Sequence, residues 1–148
     1  MFEAGNDIHH RNCPIVSGKS KVCANCKSCD IMRGFGGAGA FSDGKYNFTT
    51  EFGGWLNEYI PDAEVMDLIY YVDQINMKFG ATDKMFSTRS APALELQKKA
   101  LQNDLHLLNA DVKHLGTENN LVILTRMFEW IREHVTLLCN TAIRHICE

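Results

Sequence analysis

The sequence predicts an α/β chain of α+β character, with a long glycine-rich lead-in, three helices and a few short strands. Three observations carry this reading. Nine of the eleven glycines fall between Gly5 and Gly54. Apolar residues recur at helical spacing over 62–79, 93–105 and 121–134, and short β-prone runs at 111–115, 135–139 and 142–147 lie between or after them. The composition changes near Gly44, and the chain is read as a loop-rich segment 1–54 followed by a helical, mixed segment 55–148.

The elements follow in order. Phe2-Glu3-Ala4-Gly5 reads as the end of a strand, although residues 1–45 as a whole show almost no regular apolar period. A loop of that length in a compact domain is read as functional. Gly53-Gly54 leads into a short amphipathic run at 55–60, stopped by Pro61, whose ring does not suit a helix interior. Asp62 is the expected N-cap of the first helix, with Val65, Leu68, Ile69, Val72, Ile75 and Phe79 on one face and Gly80 at its end. Leu94, Leu101 and Leu105 mark the second helix. Residues 116–120 read as a turn, and Leu124, Met127, Phe128 and Ile131 mark the third helix. These stripes are read as core packing.

Bulk composition excludes several function classes. With 45% hydrophobic and 22% charged residues the chain is an ordinary globular one. A formal net charge of -3 and a pI near 6.1 leave no electrostatic footprint for nucleic acid or an anionic membrane surface. No stretch approaches the roughly 20 apolar residues of a bilayer span, and the first residues lack the apolar core of a secretory signal, so the expected location is the cytoplasm. The six cysteines are then expected to stay reduced, bind metal or do redox chemistry.

The densest motif is the run from Gly34 to Lys45, with five glycines and two alanines in twelve residues. Small residues bare the backbone N–H groups, and glycine permits positive φ, so such amides can converge on a phosphate oxygen. Glycine density alone also fits a flexible turn. A P-loop is excluded by the spacing of glycine to Lys-Ser/Thr. Glu3, at a strand end, has the placement of an acid that accepts hydrogen bonds from ribose hydroxyls, or of a solvated carboxylate.

Cys13, Cys23, Cys26 and Cys29 form C-P-x8-C-x2-C-x2-C, a single tetrahedral set of thiols. Two-residue spacers let thiolates converge on an iron–sulfur cluster or on zinc. The alternatives are four reduced thiols or a redox-active disulfide between Cys23 and Cys26. Cys139 and Cys147 read as core residues. Among the histidines, His9 and His10 read as surface residues, because adjacent side chains diverge. His114 ends a strand, where it either caps the turn or positions a substrate.

Glu3-Ala4-Gly5, Arg11-x-Cys13-Pro14, the Cys23/Cys26/Cys29 spacing, the block Gly36-Gly37-Ala38-Gly39-Ala40-Phe41-Ser42-Asp43-Gly44-Lys45, Gly53-Gly54-x-Leu56 and His114-Leu115-Gly116-Thr117 together resemble the uncharacterised FAD-dependent dehydrogenase family. Its members are similar to glutathione-reductase-type flavoproteins. The resemblance spans most of the chain and implies part of a Rossmann-like FAD-binding domain with a helical insertion. It implies that Glu3 contacts the adenosine ribose and Arg11 lies near the phosphates. It also implies that Gly34, Gly36, Gly37, Ala38, Gly39, Ala40, Phe41 and Ser42 run beside the pyrophosphate and flavin. The family pattern begins with a strand and G-x-G-x-x-G about 20 residues before the acid, and this chain starts after that point. The expectation is an internal piece of an oxidoreductase, inactive alone, whose remaining half comes from a companion chain or is lost by truncation, and whose substrate or electron carrier is unidentified. The rival reading is a four-cysteine metal- or iron–sulfur-binding module without enzymatic activity. No catalytic residue is singled out.

Overall fold

Proline and glycine set the boundaries of the helices in the computed structural model, which describes residues 1–146. Cys147, expected in a terminal strand and in the core, lies outside the described residues. Helix α1 (Asp62–Lys78) opens on Pro61, whose φ of -57° is already helical in value, with Asp62 and Glu64 in the first turn and Lys78 in the last, both favourable to the helix dipole. The cap is thus Pro61 and not Asp62; no side-chain hydrogen bond caps this end.

Helix α2 (Ala91–Leu101) starts after Ser90 with Pro92 in its first turn. It ends before 105 because Asp104 adopts a left-handed φ of 56°. The chain then folds back: Leu105 N–H reaches Ala100 O at 2.9 Å and Asp104 N–H reaches Leu101 O at 3.3 Å, the paired bonds of a Schellman closure.

Helix α3 (Thr117–His134) begins four residues before the apolar stripe that predicted it. The polar run expected to be a turn is its first turn. Gly116, at φ 78°, reverses the chain just before it, and Glu118 sits where the dipole favours an acid.

Strands β1 (Lys45–Phe48) and β2 (Asp111–His114) pair antiparallel, Lys45 opposite His114 and Phe48 opposite Asp111, and Phe86 bridges to Val112 on the other side of β2. The expected strand at 111–115 is therefore present. The expected strands over 135–139 and 142–146 are not: Leu138 alone forms a bridge, parallel to Phe2, through Glu3 N–H to Leu138 O at 2.9 Å and Leu138 N–H to Met1 O at 3.0 Å. Asn140, at φ 52°, interrupts any further extended run. Among the described residues the chain is a mixed α/β structure of three α-helices and one two-stranded antiparallel sheet.

Two units result. Met1–Asp43 and the chain from Thr117 onward form the first; Gly44–Gly116 forms the second and is inserted into it. The boundary falls at the compositional change near Gly44, and the chain after Thr117 returns to the first unit, which a serial division at residue 54 does not describe. Ile8, Ala40 and Phe128 centre the core of the first unit, with Phe35, Phe41, Leu124, Leu137 and Cys139 packed around them. Phe48, Val65, Ala100 and Leu115 are the buried apolar residues of the second.

The apolar stripes are core only in part. Ile123 and Phe128 of α3 are buried, but Leu68 and Val72 of α1 stay about half exposed, as do Leu94 and Leu101 on and at the end of α2. None of the helices among the described residues is long and apolar enough to cross a membrane.

Candidate functional site

The glycine-rich run is held from two sides and open on a third. From below, Arg11 reaches under it: Nε donates to Asp30 O at 2.8 Å, Nη1 to Phe35 O and Gly37 O at 2.7 Å each, and Nη2 to Ile31 O at 2.9 Å. Its guanidinium also lies 4.8 Å from the centre of the Phe41 ring. The residue is 8% exposed. Burial pushes the guanidinium pKa down, opposed by the charges of Asp30, Glu3 and Cys29. The expectation that Arg11 lies near a phosphate meets a different geometry: its planar fork is engaged with four backbone carbonyls and shapes the loop that carries the glycines.

Asp30 completes that support. Its carboxylate accepts Asn6 Nδ2 at 2.9 Å and Asn12 N–H at 3.0 Å, and Asn140 Nδ2 donates to Asn6 Oδ1 at 2.7 Å. Gly5 and Gly34 then meet backbone to backbone. A Cβ on Gly5 would stand 2.5 Å from Gly34 N, and one on Gly34 would stand 2.7 Å from Asn6 O, so neither position admits a side chain without moving the main chain.

From the other side comes α3. Asn120, 1% exposed, donates Nδ2 to Gly39 O at 2.6 Å, and Leu124 lies 3.1 Å from where a Cβ of Gly36 would be. Between these supports the chain makes a five-residue 3-10 turn (Gly37–Phe41), entered through Gly36 at φ 83° and Gly37 at φ 57°. Such values are open to glycine at no steric cost.

Within the run, Gly34 and Ala40 are buried, Phe35, Gly37 and Phe41 half-buried, and Gly36, Ala38, Gly39 and Ser42 exposed. Besides the bonds within the 3-10 turn itself, three amides are engaged internally: Phe35 N–H with Asn6 O at 2.9 Å, Gly37 N–H with Gly34 O at 2.8 Å and Ser42 N–H with Gly39 O at 3.1 Å. The Ser42 hydroxyl also donates to Gly39 O at 2.9 Å. Around Gly37 and Gly39 there is nothing within 4 Å of the point where a side chain would start. Gly37, half-buried, and Gly39, exposed, therefore offer bare backbone with space above it.

Gly34, Gly36 and Gly39 also satisfy the spacing G-x-G-x-x-G, a pattern that the glycine density of the whole run masks. The surrounding structure is not that of the dinucleotide fingerprint, since turns precede it and a 3-10 turn, not an α-helix, follows. Glu3 is half-buried, and its Oε1 accepts Gly5 N–H at 2.7 Å.

The four thiols of the cysteine loop are not drawn together. Cys13 is half-buried and Cys23, Cys26 and Cys29 are exposed, all free, and among the described residues no three of His, Cys, Asp and Glu are grouped so as to hold a metal ion. Cys139 packs against the core, where burial first, then Asp7 and Glu3, push its thiol pKa up. His9 and His10 are exposed, as expected, yet each has a partner: His9 Nε2 lies 2.7 Å from Glu129 Oε1, and His10 Nδ1 lies 2.8 Å from Asp7 Oδ2. His114 is exposed on β2.

In comparisons with protein-family models, curated proteins and solved structures, no match to this chain was found. What the site can do rests on its own geometry. Bare, positively twisted backbone suits close approach by an anionic group with several acceptor oxygens, because N–H dipoles there are not screened by side chains.

Proposed function

We propose that this chain is part of an FAD-dependent oxidoreductase of the dehydrogenase type, and that the turn 36–39 lies against the coenzyme's pyrophosphate through the open side of Gly37 and Gly39. The observation that carries the reading is the open space above Gly37 and Gly39, on a turn whose other faces are fixed by Arg11 and Asn120. A diphosphate needs that close approach; a loop that merely turned would not need rigid support on two sides.

Two further features support the reading. Glu3 follows Phe2, which forms a single parallel bridge with Leu138 after α3, a pairing direction suited to a Rossmann-like domain with the Gly44–Gly116 unit as its helical insertion. The carboxylate of Glu3 keeps Oε2 for a ribose hydroxyl while Oε1 holds Gly5 N–H. When bound, FAD supplies the electron or hydride transfer. The residues of this chain bind and orient it: Glu3 accepts from the ribose, the bare backbone at Gly37 and Gly39 lets the diphosphate approach closely, and Ala40 and Phe41 anchor the turn in the core. Arg11 adds a fixed positive charge beneath the turn without itself touching a phosphate. The substrate or electron carrier, and a companion chain supplying a G-x-G-x-x-G half, belong to the same proposal.

The test is calorimetric titration of FAD into the chain and into Gly39→Val, whose side chain enters the open space without backbone strain. Weak, saturable binding that the valine reduces at least about fivefold supports the reading, since one lost close approach is worth on the order of 1 kcal/mol. Binding indifferent to the valine contradicts it.

A further inference from the structure

The Gly44–Gly116 unit contains a second site, which does not depend on the flavin reading. A cleft of about 350 Å³ opens between α1 and the β1 edge, within the size range of small-molecule sites. Tyr46, Phe48, Leu56, Val65, Ile69 and Val72 make its walls apolar. Leu56, Leu68 and Val72 are about half exposed on it, although the periodicity of α1 marks Leu68 and Val72 as core positions.

One polar group stands out among these walls. Asn76, 6% exposed, lines the cleft, and its carboxamide makes no hydrogen bond to any described residue. No fully enclosed side-chain nitrogen or oxygen among the described residues lacks a partner, so this amide keeps its small exposure towards the cleft. An amide on a mainly apolar face that has no partner among the described residues is open to a hydrogen bond from a molecule in the cleft, and closing the cleft over it without one would cost on the order of 1–3 kcal/mol. Asp73, the other polar group at that end, is already matched: its Oδ2 accepts Lys113 Nζ at 2.6 Å, with the two side chains 12% and 4% exposed. This pair is neutral as a whole, and apolar walls disfavour a net charge. Burial also raises the Tyr46 phenol pKa, keeping that wall uncharged.

We propose that this cleft binds an uncharged, mainly apolar small molecule carrying one N–H, hydroxyl or carbonyl group, which pairs with the Asn76 carboxamide. The apolar body lies along Phe48, Val65 and Val72, and the polar group faces Asn76. A second, more polar hollow lined by Thr49, Thr50, Gly53 and Asn57 shares Tyr46, Leu56 and Ile69 with the first, giving the ligand's outer end a wet exit.

The probe is phenylnaphthylamine, an uncharged fluorophore with one N–H, titrated into the full chain. One saturable site with blue-shifted emission is expected. Val72→Trp, at an exposed rim position, fills the cleft and abolishes the signal. Asn76→Leu, similar in size and expected to fold because it removes an unpaired amide, keeps the cleft but weakens binding about tenfold. Circular dichroism and thermal melting confirm that both variants are folded. Absence of a saturable site, or binding by either variant equal to that of the parent, overturns the proposal. So does a concentration-dependent dimer that expels the probe, which would assign the cleft to a second copy of the chain.

Discussion

The Nδ2 of Asn120 lies 2.6 Å from the carbonyl oxygen of Gly39, and this bond ties the first turn of α3 to the glycine-rich turn. Both groups belong to one packed region, because Leu124, one helical turn on, contacts Gly36 from the same face. Asn120→Ala leaves the Gly39 carbonyl without its donor and opens a small void. We expect a loss of about 1–3 kcal/mol in urea unfolding, and faster hydrogen exchange at 36–39 than elsewhere in the chain.

Arg11 should tolerate no conservative replacement. Lysine carries the charge but cannot address Asp30, Ile31, Phe35 and Gly37 carbonyls from one planar group. Arg11→Lys is expected to cost at least about 2 kcal/mol, measured by chemical denaturation, with Arg11→Met costing no less. Equal stability of Arg11→Lys and the parent would show that the four bonds are not what holds the loop.

Lys113 and Asp73 form the buried ion pair of the inserted unit, with Met77 Sδ 3.3 Å from the same ammonium. Lys113→Met alone leaves Asp73 unmatched and should cost about 3–5 kcal/mol, whereas adding Asp73→Leu should recover at least half of that loss. A double-mutant cycle by thermal melting reads both values.

Asp7 gives the fold a pH signature. Burial alone would raise its carboxyl pKa, but the hydrogen bonds from the His10 side chain and the amides of His9 and His10 hold it below the usual 3.8. The folded value is depressed, so its stabilising contribution is complete above 3.8 and is lost as pH falls through the folded value. The difference in urea midpoint between the parent and Asp7→Asn should therefore be constant from about pH 5 to 6 and shrink as pH falls below about 3.8. A difference that grows on acidification would contradict the assignment.

Local signals in the sequence were legible where one residue type has one structural use. Pro61, Gly80 and Gly116 bounded the helices, and the stripe Leu124, Met127, Phe128 and Ile131 included the buried Phe128 of α3 but not the buried Ile123. Asn120 was not legible as part of that helix, because Thr-Glu-Asn-Asn has the composition of a turn. Its register was the missed signal: Asn120, Ile123, Leu124 and Phe128 share one helical face. Asn76 follows Val65, Ile69 and Asp73 on α1 in the same way. The loss of the strands after 135 is tertiary in origin, since β-prone residues there have Phe2 as their one bridging partner among the described residues, and Asn140 bends the chain away. Thiol spacing in the cysteine loop likewise fixed which cysteines are near in sequence, not whether their side chains converge. The role of Arg11 depends on four carbonyls 19 to 26 residues away, a relationship that no local pattern encodes.

The most direct measurement is a residue-resolved nitrogen–proton correlation spectrum recorded while FAD, and separately riboflavin, is added to the chain. If the strip above Gly37 and Gly39 receives a diphosphate, FAD shifts the amides of 36–39 and of Glu3 and Gly5, and riboflavin, which lacks the diphosphate, leaves 36–39 unmoved. Identical shifts with both compounds, or FAD-induced shifts confined to residues outside the glycine-rich turn, would contradict the account.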